Sequence, residues 1–288
     1  IDLPDGSVLH QIEIGPAIQT YLADHKVYGH IVVPGAFYLA VLLSVAQSHW
    51  PDEAVELDDV QFVRALTFAQ PSDSAVLLIQ LSTEADNTTG FSARLSAQID
   101  LQWTLLATAD LKRSAHSPAM ETVVLSNSHY SPLFNDRSAM IERLANMQVD
   151  WGTRWQWLGA TSRIDEHTTI GRLTAPEQVP TDDAPIPGGL IDNAFAFSLF
   201  ATESTEHQIP QLPFAVERLY WSGRHQLATW AKHVLRVQDD ARCDHTLADI
   251  FFCDDEGKPL AWLEGITTRR APAERFLAEQ QTAGLFSL

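Results

Sequence analysis
Two stretches of this chain are apolar on nearly every helical face, and much of the remainder alternates between apolar and polar positions. Residues 36–46 (AFYLAVLLSVA) hold neither Gly nor Pro and are opened by Pro34-Gly35. Proline suits a helix start, where its missing N–H would have no partner. A helix apolar all round is a buried one. A second run, 190–201, follows Pro187-Gly188-Gly189 and predicts the same arrangement. Around each run lie segments that read as strands. In the first half these are 54–68, 74–82, 90–99 and 104–111, with Val76-Leu77-Leu78-Ile79-Gln80-Leu81 as the sample favouring strand over helix.

The second half repeats the plan. Residues 136–146 predict a helix and 160–174 a pair of strands. Further strands are expected at 214–220, at 233–237 with 246–252, and at 260–268. Asp254-Asp255-Glu256-Gly257-Lys258 is a hairpin turn signal. The pattern predicts an α+β chain of two halves, each an antiparallel sheet curved around one buried helix. The expected divisions are 1–111, a linker at 112–135, a second half at 136–275 and a terminal linker at 276–288.

With 288 residues, 45% of them hydrophobic, the chain can bury a large core. A net charge of −18 argues against nucleic acid, which calls for a basic footprint. No run approaches the roughly 20 apolar residues of a membrane span. The start shows no basic, then apolar, leader, and two cysteines, Cys243 and Cys253, make no disulfide framework or zinc motif. A cytoplasmic location is therefore expected, without a membrane partner.

The candidate chemistry begins at His25, which stands in the pattern His25-x3-Gly29-x4-Pro34-Gly35 ahead of the first buried helix. A helix N-terminus offers free amides and a positive dipole, so a histidine facing it is a base beside an oxyanion site. Asp192 is the second candidate. It stands among Leu190, Ile191, Ala194 and Phe195, where loss of water favours the protonated form of a carboxyl. A histidine base and an aspartic acid, one from each half, suit β-elimination of water. A metal-hydrolase reading of Asp24, His25 and His30 has no matching ligand spacing. A thioesterase, in which His and Asp activate water, is a closer rival.

These residues resemble those of the dehydratase domain of a modular type I polyketide synthase, a double hot-dog fold. The family motif His-x3-Gly-x4-Pro is met by His25, Gly29 and Pro34. Its Asp-x3-Gln/His motif is met at Asp192 but ends on Ala196. Its Tyr-Gly-Pro-x-Phe segment stands as Trp151-Gly152-Thr153-Arg154-Trp155, and the 212–218 and 263–272 segments also resemble family stretches. The resemblance covers nearly the whole chain. It implies a β-hydroxyacyl thioester carried on the phosphopantetheine arm of an acyl carrier protein, with no metal or redox cofactor. His25 would remove the α-proton, the Gly35 amide would hold the thioester oxygen, and Asp192 would protonate the departing hydroxyl, with Pro34, Gly29, Trp151, Gly152 and Ala196 as the further expected substrate-binding residues.

The departures carry their own implications. Ala196 cannot orient Asp192 from one helical turn away as Gln or His would, so water, substrate or another group must. Trp151 replaces a tyrosine hydroxyl that could contact substrate. The favoured reading is that dehydration tolerates both losses. The alternatives are a dehydratase that also closes a pyran ring by oxa-Michael addition, and a silent module for carrier docking or dimerisation. Expected partners are the acyl carrier protein, neighbouring synthase domains and a second copy of the chain. An acidic carrier would need a local basic patch, with Arg154, Arg224, Arg269 and Arg270 as candidates.

Overall fold
In the computed structural model of the chain the described residues are 1, 3, 6–83, 90–99, 101–114, 121–125, 130–134, 137–180, 184–197, 209–236 and 245–276. The first half contains β1 (Val8–Ile14), β2 (His25–Val27), β3 (His30–Val33), α1 (Gly35–His49), β4 (Val55–Phe62), β5 (Leu66–Phe68), β6 (Ala75–Ser82), β7 (Gly90–Ile99) and β8 (Gln102–Arg113). The second contains β9 (Ser131–Phe134), α2 (Ser138–Asn146), β10 (Val149–Trp151), β11 (Leu158–Arg163), β12 (Thr168–Leu173) and α3 (Gly188–Phe195). It ends with β13 (Gln211–Trp221), β14 (Trp230–Leu235), β15 (His245–Cys253) and β16 (Pro259–Arg270).

The period-two pattern becomes burial directly. Leu77, Ile79 and Leu81 of β6 are fully buried while the residues between them are partly exposed. Helix α1 starts at Gly35 after Pro34 and buries Ala36, Tyr38, Leu39, Leu42, Leu43 and Ala46, residues from all sides of the helix. Helix α3 starts at Gly188 and is buried throughout, but it ends at Phe195, short of the expected 201. Residues 198–201 lie outside the described residues. Gly188 lets the two helices meet, because a Cβ there would lie 2.9 Å from the Phe37 Cα. The Asp254 turn forms as predicted: the Asp254 carboxylate accepts from the Glu256 and Lys258 amides, and Gly257 has φ +77°.

The two half-sheets join edge to edge. Strands β1-β6-β7-β8-β4 of the first half meet β13-β16-β15-β14-β12-β11-β9 of the second through antiparallel β4–β13 pairing. A separate four-stranded sheet, β10-β2-β3-β5, makes a second seam, in which Trp151 pairs with His25. That seam carries the site.

Two boundaries change. The stretch read as a linker, 112–135, begins inside β8, where Arg113 pairs with Val55, and ends in β9, which pairs with β11. β9 sits at the sheet edge, where Pro132 is tolerated. Phe276, placed in the terminal linker, is buried with Val27 and Val32, and the Tyr28 hydroxyl donates to the Ala271 carbonyl at 2.7 Å. The chain after β16 therefore folds back on the β2–β3 hairpin.

Candidate active site
His25 sits where a 3-10 turn (Thr20–Asp24) passes into β2, and it is buried. Its Nδ1 lies 2.8 Å from the Val32 carbonyl of β3. A carbonyl only accepts, so Nδ1 carries a proton, and in the neutral ring the lone pair is on Nε2. Nε2 faces Asp192 Oδ2 at 3.4 Å. Asp192 is reached from α3 of the other half and is also buried.

Trp155 answers the question that Ala196 raised. Its indole Nε1 donates to Asp192 Oδ2 at 2.8 Å, and its ring meets His25 edge-on at a centroid distance of 5.2 Å. The neighbouring Asn193 is fully buried and fixes the 155–157 backbone to α3. It donates to the Trp155 and Gly189 carbonyls, each at 2.8 Å, and accepts from the Trp157 amide at 2.9 Å.

The segment before Trp155 is clamped to the residue before His25. Asp24 Oδ2 accepts from the Arg154 amide (2.8 Å) and Nε (3.1 Å), and Oδ1 accepts from an Arg154 terminal nitrogen (2.7 Å). Burial alone would push the Asp24 carboxyl up. The Arg154 bonds and charge, helped by Lys26, outweigh burial and hold it below the ordinary carboxylate value. Asp24 is thus spent on Arg154, and His30 lies at the exposed end of β3. Among the described residues no three His, Cys, Asp or Glu side chains converge on one point, and no helix is long and apolar enough to cross a membrane.

A cavity of about 400 Å³ opens between the halves. His25, Asp192, Pro34, Gly35, Trp151 and Ala196 all line it. Gly35 begins α1, so its amide is among the first-turn N–H groups without an intrahelical acceptor. Its missing side chain also makes room for Phe62, whose ring would lie 3.0 Å from a Cβ. Trp151 is buried with its Nε1 unpartnered among the described residues.

Two expected site residues are absent from the cavity wall. Gly29 serves the β2–β3 hairpin, where Tyr28 (φ 52°) and Gly29 (φ 77°) form the tight turn. Gly152 serves the Asp24 clamp, since a Cβ there would meet the Asp24 Cγ at 2.5 Å. Of the four candidate arginines, Arg154 is paired with Asp24, and Arg224 donates to the Pro259 carbonyl. Arg269 and Arg270 do line the cavity, joined by Arg64 and Arg275, which sequence reasoning missed.

Residues 1–97 match the family described as polyketide synthase dehydratase domain, and residues 131–278 match the one described as polyketide synthase dehydratase N-terminal domain. The chain belongs to the polyketide synthase dehydratase family. Among curated relatives, the hybrid PKS-NRPS synthetase LUC5 of Fusarium sp is 28% identical over 86% of this chain. Highly reducing polyketide synthase 17 of Metarhizium anisopliae is 28% identical over 60% of it. The chain spans only 7% and 6% of these two relatives, the size of one domain within a multidomain synthase. Among solved structures, the dehydratase domain from the CurH module of curacin polyketide synthase superposes with a TM-score of 0.80 at 22% identity, covering 96% of each chain. The CurJ module domain gives 0.79 at 19%, covering 93% of this chain and 94% of that one. The fold is the double hot-dog of these polyketide synthase dehydratase domains.

Trp155 and Asn193 are the other residues that sequence reasoning missed. One signal was available for Trp155: a tryptophan stands where the family segment has phenylalanine, in the same chain that lacks the Gln or His at 196.

Proposed function
We propose that this domain eliminates water from a β-hydroxyacyl thioester presented on the phosphopantetheine arm of an acyl carrier protein. The observation that carries the reading is the His25–Asp192 pair, with Nε2 3.4 Å from Oδ2 at the wall of one apolar cavity. The α-hydrogen and the β-hydroxyl sit on neighbouring carbons, so their base and acid must stand side by side.

In this mechanism Nε2 of His25 takes the α-proton while Val32 holds Nδ1–H and keeps the ring in the required tautomer. The electrons of the C–H bond move toward the thioester carbonyl, whose oxygen gains negative charge at the α1 N-terminus beside the Gly35 amide. They then form the α,β double bond as the β-C–O bond breaks. Asp192 gives its proton to the leaving hydroxyl, which departs as water. The His25 proton then returns to Asp192 directly across the short gap or through a solvent molecule, restoring both groups. Trp151 lines the cavity where the family segment has a tyrosine, and its ring adds apolar wall without that hydroxyl.

The arm would enter past Arg64, Arg269, Arg270 and Arg275, which gather positive charge in a chain of net charge −18 and suit the arm's phosphate. Tethering in one synthase raises the local carrier concentration and lowers the affinity required.

The test is incubation with carrier-bound β-hydroxyacyl substrates of both hydroxyl configurations, read by mass spectrometry. Loss of water, abolished in His25→Ala, is the expected result. No loss with either configuration sinks the reading and leaves a docking module. A second reading, ring closure after elimination, draws on Ala196, which leaves space on the cavity wall. Its arm of the test is a substrate with a δ- or ε-hydroxyl, and formation of open alkene alone excludes it.

A further inference from the structure
We infer that Trp155 is a positioning residue for Asp192, with its indole N–H in the orienting role that the side chain at 196 cannot fill. The inference rests on the dehydratase reading and deepens it. Trp155 is fully buried and is absent from the wall of the catalytic cavity, so it acts through Asp192 and not on substrate.

Three observations make this more than packing. First, burial alone does not give an indole a partner in this chain. The Nε1 atoms of Trp151, Trp157 and Trp262 are buried and unpartnered among the described residues, whereas Trp155 Nε1 is aimed at a carboxylate oxygen at 2.8 Å. Second, the donor is held in place. The Trp155 amide bonds the Gly152 carbonyl at 2.9 Å, its own carbonyl accepts from Asn193, and its ring stacks on Tyr21 at a centroid distance of 6.0 Å. The residue before it is locked to Asp24. An orienting group on such a support loses little freedom when it acts.

Third, the two contacts of Asp192 meet at one oxygen. Both Trp155 Nε1 and His25 Nε2 approach Oδ2. The oxygen that faces the base is the one the indole holds, so this bond fixes the placement of Asp192 against His25. The indole thus fixes the carboxyl plane relative to the base. Ala196 stands one helical turn after Asp192 on the cavity wall, so moving the orienting donor to position 155 frees that volume for the acyl chain.

The experiment replaces Trp155 with benzothienylalanine, an isostere in which sulfur takes the place of the N–H, and in parallel with 5-fluorotryptophan, which retains it. Trp155→Phe serves as the simple variant. Dehydration of a β-hydroxyacyl pantetheine thioester is then followed. The benzothienyl variant is expected to lose about 10- to 100-fold in kcat, the scale of one hydrogen bond to a charged group, with KM changed by less than about threefold. The fluorotryptophan variant is expected to stay within about threefold of the wild-type kcat. Wild-type kcat in the benzothienyl variant, a loss carried by KM, or an equal loss in both analogues would overturn the inference. A wild-type chain that eliminates no water would instead overturn the dehydratase reading, and the inference with it.

Discussion

Gly152→Ala tests whether the Asp24–Arg154 clamp supports the site. Gly152 has φ −68° and ψ 171°, a conformation open to any residue, so the backbone does not demand glycine. The demand is steric. An added Cβ would stand 2.5 Å from the Asp24 Cγ, 2.7 Å from Oδ2 and 2.9 Å from Cβ. The carboxyl must swing by about 1 Å to restore ordinary contact, and that breaks its fit to Arg154. Three hydrogen bonds to a charged group are at stake, each contributing about 1.5–3 kcal/mol. Arg154 is 33% exposed, so water replaces part of what its guanidinium loses. The backbone amide of Arg154 is harder to satisfy. The net cost is about 2–4 kcal/mol, which lowers Tm by roughly 5–12 °C in a domain of this size. The assay is equilibrium urea unfolding followed by tryptophan fluorescence, run as a double-mutant cycle with Asp24→Gly. Removing the Asp24 side chain removes all three clashing atoms, so Gly152→Ala should then cost less than about 0.5 kcal/mol. Equal costs for Gly152→Ala in both backgrounds would refute the reasoning.

Other consequences are accessible with the same protein. Asp192→Asn and His25→Ala should each lower kcat by about 10²–10⁴-fold or more in the water-loss assay, with circular dichroism unchanged. Gly29→Val should destabilise by more than about 1 kcal/mol through its positive φ, and Gly29→Asn by less, as read by urea midpoints. Arg269→Glu with Arg270→Glu should raise KM for a carrier-bound substrate more than for the pantetheine thioester, which lacks both the carrier and the arm's phosphate. Burial pushes His233 down to about 4, with Asp249 opposing the shift. The unfolded chain therefore binds the proton first as pH falls. Stability should decline between pH 6.5 and about 4 by up to about 3 kcal/mol from this group, and His233→Leu should flatten that slope in urea titrations.

Much of the fold was legible because its signals are local. The alternation along β6 and the Pro-Gly steps before α1 and α3 each dictate structure within their own segment. β9 was not legible, since Ser131-Pro132-Leu133-Phe134 is too short for a period and carries a proline. Only its place at the sheet edge makes it a strand. Phe276 escaped for a related reason. It is buried by a hairpin far back in the chain, which no composition around position 276 announces.

The site divides along the same line. His25, Pro34 and Gly35 were readable together because one short loop and one helix start bring them together. Asp192 was readable because a carboxyl in an apolar helix is conspicuous. Gly29 and Gly152 were read as binding residues when their absent side chains answer to a turn and to Asp24. A glycine marks a close approach, and sequence does not say by what. Trp155 shows the same limit in reverse. Its side chain looks like core, and its N–H becomes functional only because Asn193 and the β2–β10 seam aim it at Asp192. On the proposed reading, the donor that Ala196 cannot supply comes instead from Trp155. Asp192 is then oriented from the segment that seals the seam, which leaves the α3 wall of the cavity open at Ala196.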